Sequence, residues 1–111
     1  MQVPGQIYDA ILNHAEACAP EEACGLLAAD AVGALRMVYC LTNVQHSTAA
    51  YTIDPEEHFK AMRHAEANGW HLAGAFHSHP DAEPYPSATD RALATEPDWV
   101  YMIAGKGRKV R

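Results

Sequence analysis

Two short runs, EACGLLAA (22–29) and WHLAGAFHSH (70–79), are apolar almost throughout. A strand with one wet face alternates apolar and polar residues, whereas these runs do not alternate, so each is expected to be buried. Their length suits strands rather than helices. A chain carrying two such strands needs other elements packed over its sheet.

Those elements are present. GQIYDAILNHAEACA (5–19) places Ile7, Ile11, Leu12 and Ala15 on one helical face, with Pro4 suited to the first turn and Pro20 just past the end. Asp30 to Ala34 form a tight turn into LRMVYCLTNV (35–44), a second strand antiparallel to the first. A short strand is expected over Ala50–Ile53. Asp54 then caps a helix opening Pro55-Glu56-Glu57, whose apolar face carries His58, Phe59, Met62 and Ala65 until Asn68-Gly69 ends it. A third helix runs from Ser87 to about Thr95, broken by Pro97, and DWVYMIAG (98–105) is a further strand. The order α, β, β, β, α, β, α, β is that of an α/β (α+β) protein: a mixed sheet flanked by helices, in one domain over residues 1–111.

Composition narrows the function. The net charge is −6 and only the final KGRKVR is basic, so nucleic acid is not an expected partner, since phosphate contacts need clustered Lys and Arg. No apolar run approaches the ~20 residues of a membrane span, and the N-terminus lacks a signal-peptide pattern, so the expected location is cytoplasmic, with no membrane partner. Cys18, Cys24 and Cys40 are odd in number and form no C-x-x-C pair. They are expected to be free and buried or half-buried.

The chemistry gathers in AFHSHPDAEPYPSATD (75–90). Alternation along a strand aims His77 and His79 to one side and Ser78 to the other. Both imidazoles then reach one ion at the ~2.0–2.1 Å of a metal–nitrogen bond, and Pro80 ends the strand. Asp90 is the candidate third ligand, in the first turn of the following helix; Asp81 and Glu83 are rivals on a less anchored loop. Two histidines and one carboxylate leave a coordination position for water. The same residues fit a plainer account. Ser87-Ala-Thr-Asp90 is a capping box, and histidines at a strand end can be merely solvated. Taken piece by piece, the stretch leaves both readings open.

His77 to Asp90 fits H-x-H-P-x6-S-x-x-D without a gap, and Glu22-Ala-Cys-Gly25-Leu-Leu fits an upstream E-x-C-G strand followed by aliphatics. Together they resemble the signature of the JAMM (MPN+) metalloproteases. The likeness extends from the first helix to the Trp99 strand and is nearest to small bacterial members that act on a ubiquitin-like sulfur-carrier protein, carried by Glu21 to Ala28 and Tyr85 to Asp98. The resemblance implies the cytidine-deaminase-like MPN architecture and one Zn²⁺ per chain on His77, His79 and Asp90. It also implies Glu22 as general base and Ser87 as oxyanion donor. Glu21 is the adjacent rival for the base. Ser78, facing away from the ligands, would hold the Glu22 strand. Cys24 has no basic neighbour in sequence and is not expected to be a nucleophile. His14, His46, His58, His64 and His71 lack an H-x-H partner and are expected to be structural or exposed.

The resemblance further implies hydrolysis of the amide bond after a Gly-Gly tail, releasing cysteine or trimming the carrier. Family members continue into further strands where this chain stops at Arg111, which suggests an open sheet edge and a homodimer. A deubiquitinase-like isopeptidase is the nearest alternative, but Asp30 to Leu35 is a minimal turn where such enzymes carry insertions. A non-catalytic scaffold of the MPN type would lack the ligand residues present here. Zinc deaminases require H-x-E and P-C-x-x-C, and position 79 is His.

Overall fold

The computed structural model describes residues 3–83, 85–87, 90, 95–105 and 109–110. Helix α1 spans Gly5–Cys18, β1 Cys24–Ala29, β2 Leu35–Leu41, α2 Pro55–Ala67, β3 His71–Ser78, β4 Val100–Gly105 and β5 Lys109–Val110. The third helix expected from Ser87 lies for the most part outside the described residues.

The five strands form one mixed sheet in the order β2-β1-β3-β4-β5. β1 is antiparallel to both neighbours, β3 and β4 are parallel, and β5 returns antiparallel on β4. All six residues of β1 are buried. The reason is visible in its neighbours Leu26 and Leu27. Leu27 packs with Ile7, Ile11 and Leu12 of α1 and with Phe76. Leu26 packs with Ala61 of α2 and with Ala75. Both faces are covered, which is why the sequence does not alternate. The two short apolar runs are indeed the inner strands.

Three expectations need correction. Ala50–Ile53 is not a strand; it contributes a single bridge, Asn43 to Ile53. Helix α2 turns Ala61 and Ala65 inward, while Phe59 is 53% exposed under an Arg63 guanidinium and His58 is exposed too. Small residues let α2 lie close to the sheet, and the larger ring is left outside. Cys40 is exposed, although Cys24 is buried and all three cysteines are free. Asp54 caps α2 as expected, accepting from the Glu56 N–H at 3.1 Å.

Gly25, in the E-x-C-G run, is required by contact. A Cβ there would meet the Tyr39 carbonyl oxygen and the Phe76 ring at 2.1 and 2.2 Å. Gly25→Ala should therefore force β1 off β2 and lower stability by at least about 2–3 kcal/mol. Urea unfolding would read this, and an unchanged midpoint would show that the strands can part without loss.

Candidate metal centre and catalytic cleft

β3 delivers His77, 6% exposed, and the chain just beyond it delivers His79. The His79 N–H donates to the Ala104 carbonyl on β4 at 2.7 Å, so the strand geometry persists one residue past β3. Asp90 comes from the other side of the loop. Its N–H donates to Ser87 Oγ at 3.0 Å, and the Ser87 N–H donates to Asp90 Oδ2 at 2.9 Å. The capping box is thus formed, and it places Oδ2 3.2 Å from His77 Nε2 and 3.1 Å from His79 Nε2. The two Nε2 atoms are 3.2 Å apart. Both accounts of the stretch hold at once: the cap aims the carboxylate at the histidines.

Three donor atoms at these separations fit a metal. A tetrahedron with bonds of 2.0–2.1 Å has edges of about 3.3–3.4 Å. The protonation pattern fits as well. His79 Nδ1 lies 3.1 Å from the Glu83 carbonyl oxygen, which can only accept, so the ring proton sits on Nδ1. In the neutral ring, Nε2 then presents a lone pair to Asp90 Oδ2, a crowding that a cation relieves. Burial holds the His77 imidazole toward its neutral form. For Asp90, burial pushes the carboxyl up but is outweighed by the Ser87 N–H and the His77 ring, leaving it below its usual range. Neutral imidazole and charged carboxylate are the metal-binding forms. Among the described residues, His77, His79 and Asp90 are the group of such side chains able to hold an ion. The rivals Asp81 and Glu83 are exposed and outside it.

Glu22 lies just before β1, 5% exposed, and burial, modulated by His79 and Asp90, pushes its carboxyl up to about 7. Its rival Glu21 turns outward and meets His46 Nδ1 at 3.0 Å. Ser78 does what its facing suggests. Its Oγ accepts from the Ala23 N–H at 2.7 Å, and its own N–H donates to the Ala23 carbonyl at 3.0 Å. The residue between the two histidines is thereby tied to the residue after Glu22. A cleft of about 270 Å³ is lined by Glu22, His79, Asp90, Ser87, Thr48 and Ala49, among others. Ser87 Oγ accepts from Asp90, so its hydroxyl proton remains to be donated into this cleft. Cys24 is buried and its thiol is pushed up to about 12, chiefly by desolvation, which makes it inert.

Sequence reasoning did not find Tyr51. Its ring stacks on His77, with centroids 4.7 Å apart at 21°, and fixes the imidazole plane. Thr48, Ala49 and the Glu83 carbonyl were missed too. All depend on where a loop folds back, which no local period records.

With residues 4–111, the chain matches the prokaryotic homologs of the JAB domain. It belongs to that family. It is 40% identical to a desampylase of Haloferax volcanii over 101 residues, covering 86% of this chain and 73% of that one. It is 34% identical to a CysO-cysteine peptidase of Mycobacterium tuberculosis over 102 residues, covering 91% and 70%. A solution structure of a Desulfitobacterium hafniense protein superposes with a TM-score of 0.84 at 35% identity, over 96% of this chain and 77% of that one. A JAB1/MPN domain protein from Archaeoglobus fulgidus shares the fold, with a TM-score of 0.62 at 19% identity, over 93% and 74%. No helix among the described residues is long and apolar enough to cross a membrane.

The raised Glu22 carboxyl has a consequence for stability. The folded metal-free protein keeps a proton that the unfolded chain releases from about pH 4.5, until Glu22 itself ionises near 7. Stability contributed by this group is therefore complete below 4.5 and falls as pH rises through that window. Metal-free Glu22→Gln should be more stable than the parent at pH 8, by on the order of 3 kcal/mol, and equal to it near pH 4. Urea titrations at the two pH values decide this. Equal stability at pH 8 would mean that Glu22 is not desolvated.

Proposed function

We propose that the chain is a zinc-dependent peptidase that hydrolyses the amide bond after the C-terminal Gly-Gly of a ubiquitin-like sulfur-carrier protein. The observation that carries this is geometric: the buried Glu22 carboxylate lines the same cleft as His79 and Asp90, two members of a three-donor group able to hold a metal. A carboxylate beside such a group can take a proton from water and return it to a leaving amine. Membership of the JAB family and relatives named peptidase and desampylase support the hydrolase class and a small ubiquitin-like substrate.

In this reading His77, His79 and Asp90 hold the ion, which when bound supplies Lewis acidity to a carbonyl and to water. Glu22 takes the proton from the attacking water and passes it to the leaving nitrogen. The Ser87 hydroxyl donates to the developing oxyanion, where loss of one donor typically lowers the rate ~10²–10³-fold. Tyr51 and the Glu83 carbonyl hold the two imidazoles in the planes the ligands need. Ala49, Pro80 and Ala82 line the cleft with small side chains, which suits a tail of glycines. A scaffold role would not require Glu22 to be buried beside an assembled ligand group.

His79→Ala should lose bound metal while keeping the fold. Elemental analysis of the purified protein checks this, and stoichiometric metal in the variant would refute the assignment. The activity is tested by incubating the protein with a sulfur carrier bearing a C-terminal cysteine, and with one linked through a lysine side chain, and reading products by mass spectrometry. Cleavage after Gly-Gly is expected, abolished by chelator and reduced at least about 10³-fold in Glu22→Gln. Intact adducts throughout would exclude the peptidase reading. Preference for the lysine adduct would point to an isopeptidase.

A further inference from the structure

None of the hydrogen bonds among the described residues ends on the Glu22 carboxylate oxygens. The position of that carboxylate is therefore set by its main chain. Yet Glu22 precedes β1 and takes no part in its ladder. Its peptide groups are held by the segment 44–52 and by Asn43, together with the Ser78 Oγ that accepts from the Ala23 N–H of the same peptide. The Glu22 N–H donates to the Ser47 carbonyl at 2.8 Å, and the Glu22 carbonyl accepts from Asn43 Nδ2 at 3.0 Å.

Asn43 is 7% exposed. Its Nδ2 also donates to the Ala50 carbonyl at 3.0 Å, and its Oδ1 accepts from the N–H groups of Gln45 at 3.0 Å and Thr52 at 3.1 Å. An asparagine amide can make two donations and accept twice, so its capacity is fully used. Two carbonyls face one end and two N–H groups face the other, which settles which end is nitrogen. The segment so closed carries Tyr51, stacked on His77, and Thr48 and Ala49, which line the cleft. Glu57 braces Asn43 from behind by accepting from Thr42 N and Oγ1 at 2.7 and 2.9 Å.

We infer that Asn43 is the positioning residue of this site: its amide locks the Glu22 peptide to the 44–52 segment and so sets where the Glu22 carboxylate stands in the cleft. The inference rests on Glu22 being the base. Asn43 touches no reacting atom and acts through Glu22.

Asn43→Asp keeps shape and both acceptor bonds but turns an oxygen toward the Glu22 and Ala50 carbonyls. In the metal-free protein, amide hydrogen exchange of Glu22 should accelerate at least about tenfold, while Leu26 and Leu27 in β1 stay protected. Unchanged Glu22 protection would overturn the inference whatever the enzyme does. In the metal-loaded protein, kcat should fall about 10- to 100-fold with KM within about threefold, as expected of a base displaced by a fraction of an ångström to an ångström. In a Glu22→Gln background the same substitution should cause no further loss, because the group it positions is gone. An equal fold-loss in both backgrounds would place the effect of Asn43 elsewhere and refute the inference. If Glu22→Gln itself turns over normally, the reading of Glu22 fails, and the exchange measurement still decides whether Asn43 holds that peptide. Should the aspartate variant not fold, Asn43→Ser, neutral and with one donor, serves both measurements.

Discussion

The centre of the molecule is the seam between β1 and β3. Six residue pairs join them, ending at Cys24 opposite His77. Beyond that pair the ladder is carried on by a side chain: Ser78 accepts from the Ala23 N–H and donates its own N–H to the Ala23 carbonyl. This bond spans fifty-five residues of sequence and brings the segment of Glu22 alongside the two histidines. Without it, Glu22 would be a strand-start carboxylate with no reason to be buried. Ser78 is itself 1% exposed, so a broken contact would leave a polar group without solvent, at a cost of about 1–3 kcal/mol.

The second constraint is the capping box. A carboxylate at N3 of a helix is ordinarily satisfied by the backbone N–H of the cap residue. Here Asp90 Oδ2 accepts that bond from Ser87 and also faces His77 and His79. One local motif thus supplies a carboxylate of the three-donor group, its orientation, and a serine hydroxyl at the rim of the cleft. The electrostatics are consistent. Burial opposes charge on both Asp90 and His77; at Asp90 the Ser87 N–H and the His77 ring outweigh it, whereas at His77 burial outweighs the Asp90 carboxylate, which favours the charged ring.

How much of this could be read from the sequence depends on range. The inner strands, the Asp54 cap and the common facing of His77 and His79 follow from periods of two and 3.6 residues, which are local. Ser87 and Asp90 were legible as a capping box for the same reason, though their second role needed the full spacing from His77. Ser78 was legible because alternation left it no other direction to face. Phe59 was misplaced because helical period identifies a face but not its width: Ala61 and Ala65 fill the contact, and no room is left for a ring. Asn43 and Tyr51 were not legible. Their partners lie across a loop without period, and a buried amide announces only that it needs four bonds, not where it finds them.

A shared device runs through these cases. Ser78 grips the peptide of Ala23, Asn43 grips the peptide of Glu22, and the Glu83 carbonyl grips the rear nitrogen of His79. Each acts on a backbone atom or on the far side of a ring. Among the described residues, no hydrogen-bond donor is directed at the Glu22 carboxylate. A carboxylate satisfied by local N–H groups would be held low in pKa and would be a poor proton acceptor near neutrality. Placing the anchors on the main chain allows a side chain to be fixed in position and yet remain basic. The same arrangement explains why the raised Glu22 carboxyl opposes stability above neutral pH: among the described residues it lacks the donors that would make burial of its charge favourable.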